Sequence, residues 1–281
     1  MVRIGYLGPK GTFSQEATLR YIQGRNIKDY EIYEYSGIAD LILAVENKEI
    51  DEGVAPIENS LEGAVNITLD MLAADVNLMI KDEVVITIVQ NFLIKKGADP
   101  DKIRCIVSHP QPIGQCRKFI HSKYPDAEIK YVYSTAGAAE EVAQSDGSKA
   151  AIGSAIAAKV YDLEILEKGI QDSEVNATRF AVIAANDSER TGNDKTSIVF
   201  STEDKPGSLY RILDIFNLWD INMTRIESRP AKNELGKYIF FIDILGHRDD
   251  PDLRDALTMI KRKSSFFKFL GSYPIYEYAD I

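Results

Sequence analysis

Five polar clusters punctuate the first two thirds of the chain, each lying beside a strand-like run. Gly8-Pro9-Lys10-Gly11-Thr12-Phe13-Ser14 turns from a strand into a helix. Its glycines let backbone approach a ligand, and free N–H groups at a helix N-terminus favour an anion. Thr12 or Ser14 as N-cap is the plain structural alternative. The loop is neither a Walker A sequence nor G-x-G-x-x-G, so no nucleotide is indicated. Glu58-Asn59-Ser60, Ser108-His109-Pro110-Gln111 and Ser134-Thr135 each follow a later strand, and Asn176-Ala177-Thr178-Arg179-Phe180 opens another. Capping, a hydrogen-bonded histidine, an ordinary ion pair and the β-propensity of threonine would explain them one at a time. Most stand at the carboxyl ends of strands, where open α/β sheets bind ligands. Hydroxyls, amides, helix N-termini and one arginine suit a small, oxygen-rich anion.

Several chemistries are missing. The only cysteines are Cys105 and Cys116, and His109, His121 and His247 lie far apart with no H-E-x-x-H pattern. Neither a Ser-His-Asp set, an activated thiol nor a protein-only metal site can be assembled, and no cofactor is expected. A reaction in such a cleft needs positioning, a hydrogen-bond donor and electrostatic help.

The elements that would carry these clusters follow from the apolar spacing. Up to about Ala185 strand-like and helix-like patterns alternate, as in an α/β fold. Expected helices include Leu61–Leu72 and Ile113–Ile120, and Val84–Ile94 reads as one long extended connection. The chain builds one lobe (about 1–78 and 164–185), crosses to a second (about 79–163) and returns. Residues 186–194 are rich in turn formers and read as a linker. From 195 to 281 the order becomes β-α-β-β-α-β, the ferredoxin-like arrangement. Its helices are marked by Leu209, Ile212, Leu213 and Phe216, and by Leu253, Ala256, Leu257 and Ile260.

Of the 281 residues, 33 are Lys or Arg and 43 Asp or Glu, a formal net charge of −10 that argues against a nucleic-acid partner. No apolar run reaches the ~18 residues of a membrane span, and the N-terminus does not read as a signal peptide, so no membrane partner and a cytoplasmic location are expected.

The clusters closely resemble the characteristic runs of the prephenate dehydratase family. These are Gly8–Ser14, Pro56-Ile57-Glu58-Asn59-Ser60 with Gly63 and Val65, Ser108–Gln111 with Gln115-Cys116, Ser134-Thr135-Ala136 and Asn176–Phe180. The C-terminal part resembles an ACT domain through Gly207-Ser208-Leu209 and Glu227-Ser228-Arg229-Pro230. The resemblance implies a two-lobed, periplasmic-binding-protein-like α/β catalytic domain over 1–185 and an α+β ferredoxin-like ACT domain over 195–281. It implies conversion of prephenate to phenylpyruvate, carbon dioxide and water, with phenylalanine as allosteric effector and a homodimer or homotetramer as the assembly.

Thr178, Arg179 and Phe180 are then the implied catalytic residues. Thr178 would donate to the leaving oxygen, Arg179 would position it or hold a carboxylate, and Phe180 would wall the pocket. Thr12, Ser14, Asn59, Ser60, Gln111, Ser134 and Thr135 are the implied substrate contacts, with Glu58 and His109 as rival acids. Gly207, Ser208, Leu209, Tyr210, Asn222, Glu227, Ser228, Arg229 and Pro230 are the implied effector contacts. Ser208 replaces the family's alanine, and Tyr161-Asp162-Leu163 departs from Tyr-Gly-Leu. An arogenate dehydratase and a non-catalytic, two-lobed amino-acid sensor are the alternatives. A fused dehydrogenase is not expected without a dinucleotide fingerprint, nor a mutase ahead of Met1.

Overall fold

A computed structural model describes residues 1–173, 175–231 and 237–276. The expected alternation of strands and helices is present. The first sheet contains β1 (Val2–Leu7), β2 (Tyr30–Tyr35), β3 (Glu52–Asn59), β5 (Met79–Thr87) and β11 (Ala177–Ala184), in the order β2-β1-β3-β11-β5, with β4 (Gly63–Ala64) paired to β3. The second contains β6 (Asn91–Lys95), β7 (Cys105–Ser108), β8 (Glu128–Tyr131), β9 (Lys149–Gly153) and β10 (Leu163–Glu167), in the order β10-β6-β9-β7-β8. Their crossover helices are α1 (Phe13–Gly24), α2 (Ile38–Glu46), α3 (Asn66–Asp70), α4 (Pro110–Gln115), α5 (Arg117–Lys123), α6 (Thr135–Ala143) and α7 (Ala155–Val160).

Three local expectations are modified. Helix α3 begins only at Asn66, because Gly63 adopts φ +81° and the preceding turn is held by the Asn59 carbonyl, and a π-helical turn, Met71–Asp75, continues it. The long extended run divides into β5 and β6, and the helix expected at 113–120 is two helices that meet at Cys116.

The chain forms two compact units. The first comprises Met1–Leu41, Val54–Gly63 and Val85–Phe180. Its core lies on both faces of the second sheet, around Phe92, Ile106 and Ile152 on one side and Leu93, Val107 and Ala151 on the other. Two connecting segments run side by side here: Ile88 N–H donates to the Asn176 carbonyl at 2.7 Å and Ile170 N–H to that of Gln90 at 2.9 Å.

The second unit comprises Ile42–Gly53, Ala64–Val84 and Ala181–Ile281. It contains the expected β-α-β-β-α-β order: β12 (Asp194–Ser201), α8 (Ser208–Leu218), β13 (Met223–Pro230), β14 (Tyr238–Leu245), α9 (Pro251–Lys263) and β15 (Phe266–Pro274). The sheet runs β13-β14-β12-β15. Its helix side buries Ile198, Phe200 and Ile242 against Ile212, Phe216 and Ile260. Lys261, Arg262 and Lys263 occupy the exposed last turn of α9, where cations complement the helix dipole.

The other face of this sheet carries buried Val199 and Phe241 and meets the segment that begins with α3. On that side Lys268 Nζ donates to the carbonyls of Leu72, at 2.6 Å, and Val76. A Cβ on Gly271 would stand 2.2 Å from the Ile80 carbonyl oxygen, so only glycine permits that approach. The stretch 186–194 is an ordered connection rather than a free tether. Ser188 Oγ donates to the Lys81 carbonyl at 2.7 Å, and Asp194 accepts from Thr191 and Gly192.

Candidate active site

Within the first unit a cleft of about 300 Å³ collects residues from separate strand ends. Thr12 comes from the end of β1, Asn59 from β3, Gln111 from the start of α4, Ser134 and Thr135 from the start of α6, and Thr178 from β11. Ser14, Pro112, His109, Gln90, Gln115 and Asn176 are also in the wall, and Tyr133 is fully exposed. Among the described residues no Asp, Glu, Lys or Arg lines the cleft. An anion there would have to be held by oriented dipoles.

Local sequence supplies those dipoles. Thr12 caps α1, accepting from Gln15 N–H, while the Gln15 side chain accepts from Gly11 N–H at 2.7 Å, a reciprocal cap. Ser134 caps α6 by accepting from Gly137 N–H at 3.0 Å. His109 caps α4 through Nδ1, which accepts from Gln111 N–H at 3.3 Å. The first turns of α1 and α6 keep N–H groups free beyond these caps, whereas α4, with Pro110 and Pro112 in its first turn and the Gln111 N–H taken by His109, has none to offer.

The Gly8–Ser14 loop is held from beneath and from the side. Glu34 accepts from Lys10 N–H at 3.1 Å and from the Tyr6 phenol at 3.3 Å. Ser154 and Tyr161 donate to the Gly11 and Lys10 carbonyls. Burial, followed by Glu34, raises the Tyr6 phenol, while burial, then Glu140 and Glu34, raises that of Tyr161; both remain protonated donors at neutral pH.

The centre of the cleft is an amide network with a defined direction. Asn59 Oδ1 accepts from the backbone N–H groups of Leu61, at 3.0 Å, and Glu62, at 3.1 Å. Its Nδ2 must therefore point the other way, and it donates to Thr178 Oγ1 at 2.8 Å and to Asn176 Oδ1 at 3.0 Å. Because Asn176 Oδ1 is the acceptor, its Nδ2 donates to Gln115 Oε1, which also receives Gln90 Nε2. Thr178 Oγ1 is thus already an acceptor, and its own proton is left to donate into the cleft.

Seven of the residues expected at a substrate site, Thr12, Ser14, Asn59, Gln111, Ser134, Thr135 and Thr178, line this cavity together. Three do not. Ser60 accepts from Ala177 N–H and donates its own N–H to the Ala177 carbonyl, fastening the end of β3 to the start of β11. Arg179 projects to the opposite face of β11 from Thr178 and pairs with Glu58 at 3.2 Å. Phe180 does not wall the pocket: at 2% exposure it is a core residue one strand repeat deeper.

Of the rival acids, His109 lines the cleft and Glu58 does not. Glu58 is committed to Arg179. His109 Nδ1 is occupied as the acceptor of the Gln111 N–H, so that nitrogen is engaged in capping α4. Nothing in the sequence marks Gln90, and the runs that contain Gln115 and Asn176 suggest no role for either. Amides carry no periodicity or charge signal, and their importance lies in partners distant along the chain.

In the second unit a cavity of about 310 Å³ is lined by Gly207, Ser208, Leu209, Tyr210, Tyr238 and Phe240, with Thr202–Lys205 and Lys237 at its margin. Gly207, at φ +77°, precedes α8 and leaves its first turn open to a ligand. The Ser208 hydroxyl accepts from Arg211 at 3.0 Å. Asn222, Glu227, Ser228, Arg229 and Pro230 do not line this cavity. Asn222 caps the far end of β14 through its carbonyl, and the other four lie along β13. Arg229 in particular is engaged by Asp70 and Asn66.

Among the described residues no group of three or more His, Cys, Asp or Glu is placed to hold a metal ion. No helix among them is long and apolar enough to cross a membrane.

A family model for prephenate dehydratase matches residues 4–188, and one for the ACT domain matches 196–258. A prephenate dehydratase of Methanocaldococcus jannaschii is 42% identical over 279 residues, covering 97% of this chain and 98% of its own. A bifunctional chorismate mutase/prephenate dehydratase of Aquifex aeolicus is 41% identical over 274 residues, covering 97% of this chain and 74% of its own. A crystal structure of prephenate dehydratase from Arthrobacter aurescens in complex with L-Phe superposes with a TM-score of 0.88 at 34% identity, covering 98% of this chain and 90% of that one.

Proposed function

The chain belongs to the prephenate dehydratase family and carries that activity with an ACT regulatory domain, and on this premise we propose how its cleft performs the reaction. Prephenate loses its ring carboxylate as carbon dioxide. The electron pair of the broken C–C bond enters the ring, and the hydroxyl at the opposite ring carbon departs as hydroxide, which takes up a proton to become water. Aromatisation supplies the driving force. The protein must hold two carboxylates and stabilise the charge growing on the leaving oxygen.

Thr178 is the donor to that oxygen. A threonine hydroxyl is too weak an acid to surrender its proton outright, so its part is hydrogen-bond donation, with solvent as the final proton source. Asn59 fixes the direction of the donation. The first turns of α1 and α6, with the Thr12, Gln111, Ser134 and Thr135 groups, receive the carboxylates. Arg179 and Glu58 brace the adjoining ends of β11 and β3 from behind. The observation that carries this reading is the pinned Asn59 amide, whose donation leaves Thr178 a single proton to offer.

Phenylalanine is the effector and binds over Gly207–Tyr210; the apolar Leu209 and Phe240 beside an open helix start fit a zwitterion with an aromatic side chain. Exposed Tyr210, Leu218 and Ile226 on the small domain support assembly as a homodimer or homotetramer. We assign residues 1–185 to catalysis, 186–194 to the connection and 195–281 to regulation, in a cytoplasmic enzyme.

The test is direct. Purified protein given prephenate or arogenate side by side should release phenylpyruvate from the first much faster than phenylalanine from the second. Equal or reversed rates would overturn the substrate assignment, and no product from either would overturn the enzymatic one.

A further inference from the structure

Successive residues of a strand point to opposite faces of its sheet, and directly opposed residues of an antiparallel pair share a face. In β13 this divides the Glu227–Pro230 run in two. Ser228 and Pro230 stand opposite Phe240 and Tyr238, both of which line the regulatory cavity. Glu227 and Arg229 stand opposite Phe241 and Ile239, on the face away from that cavity.

On that other face Arg229 makes a forked contact. Its Nε donates to Asp70 Oδ1 at 2.9 Å, its Nη2 to Asp70 Oδ2 at 3.3 Å, and its Nη1 to Asn66 Oδ1. The Arg229 and Asp70 side chains are each only 18% exposed, which distinguishes this two-point pair from a solvated surface bridge. Asn66 and Asp70 are the first and last residues of α3. Even with the π-helical turn that continues it, α3 is too short to hold its place by its own hydrogen bonds and takes its position from what packs against and grips it. The chain leading into α3 is the loop that starts at Asn59, whose amide orients Thr178.

We infer that Arg229 is a coupling residue, not an effector ligand: through Asp70 and Asn66 it transmits a displacement of β13 to α3, and so to the loop that begins at Asn59. This rests on the reading of phenylalanine as effector. A ligand that draws Ser228 and Pro230 toward the cavity moves Arg229 with them, since all three share one strand. The planar fork tolerates little misalignment, so α3 either follows or releases, which gives the two arrangements an allosteric response requires.

The experiment measures two quantities on the full chain, phenylalanine binding by calorimetry and phenylalanine inhibition of dehydratase activity. The variants are Asp70→Asn, which keeps shape and loses charge, and Arg229→Lys, which keeps charge and loses the fork. Both should bind phenylalanine within about threefold of the parent, while the concentration needed for inhibition rises by about tenfold or inhibition disappears. The paired exchange Asp70→Arg with Arg229→Asp should recover part of the response. Undiminished inhibition in Asp70→Asn would overturn the inference. So would a loss of phenylalanine binding by about tenfold or more in Arg229→Lys, because Arg229 would then be a ligand contact. Absence of both binding and inhibition in the parent protein would instead remove the effector reading, and the coupling role with it.

Discussion

Asn59 donates to the Thr178 hydroxyl oxygen across 2.8 Å while its own carbonyl oxygen is occupied by two backbone N–H groups. The amide cannot turn round without setting its NH₂ against those donors. One backbone turn thereby decides which way a hydroxyl proton points in a cleft lined, among the described residues, by no Asp, Glu, Lys or Arg.

Thr178→Val should therefore lower kcat by about 100- to 1,000-fold with little change in KM, the scale of losing one donor aimed at developing negative charge. Thr178→Ser, which retains the hydroxyl, should recover most of the rate. Steady-state kinetics on the two variants checks this, and near-normal turnover in the valine variant would remove Thr178 from the mechanism.

Asn59→Asp is a sharper probe than truncation. A carboxylate oxygen in place of Nδ2 can only accept, so the Thr178 proton would turn toward residue 59 and away from substrate. A fall in kcat of about tenfold or more is expected even though shape is preserved. The measurement is kcat alongside circular dichroism, to establish that the fold is retained.

Gly11 has φ +87°, and a Cβ there would come 3.1 Å from the Ala157 Cα. Gly11→Ala should destabilise the first unit by about 1–3 kcal/mol, the usual cost of a non-glycine residue in that region. Denaturant unfolding of the two proteins measures it. Substrate binding should weaken as well, because the same loop presents the start of α1.

Lys268 tests the junction beneath the small sheet. Burial, which outweighs Glu46 and Asp75, lowers its pKa from 10.5. The folded protein thus holds this proton less tightly than the unfolded chain does. Stability should rise as pH climbs from the lowered value toward 10.5, and the penalty should be fully present below it. Lys268→Met should flatten that rise. Urea midpoints recorded from about pH 8 to about pH 10 would show it, and parallel slopes for the two proteins would contradict it.

Most of the polar residues that line the cleft were legible in the sequence because they follow strands. An α/β alternation obliges strand ends and helix starts to gather on one side of a sheet. Six polar residues at such points, Thr12, Ser14, Asn59, Gln111, Ser134 and Thr135, read together pointed to a site for an anion, and Thr178 joins them from the start of β11. The small domain was equally legible, since two helices with apolar residues at i, i+3, i+4 and i+7 and four strands leave few ways to build a two-layer unit.

What stayed hidden were relationships between side chains far apart in the chain. The resemblance implies Phe180 as a pocket wall through the Thr178–Phe180 run, yet it stands on the same face as Thr178 one strand repeat deeper, and that depth places it in the core. Arg229 reads as an effector ligand because it shares a run with Ser228, yet alternation turns it to the other face and onto Asp70.

In the amide chain from Asn59 through Asn176 and Gln115 to Gln90, the first three were marked only as members of runs and Gln90 not at all, and nothing in the sequence linked them. A side-chain amide is neither apolar enough to mark a face nor charged enough to mark a partner. Which of its ends donates is decided only by the groups that folding brings around it. Local sequence determined which loops would carry polar groups and which residues could cap a helix, because those follow from composition and capping over a few residues. Tertiary structure alone decided the direction of each hydrogen bond and the face each residue presents, because both depend on contacts made across the fold.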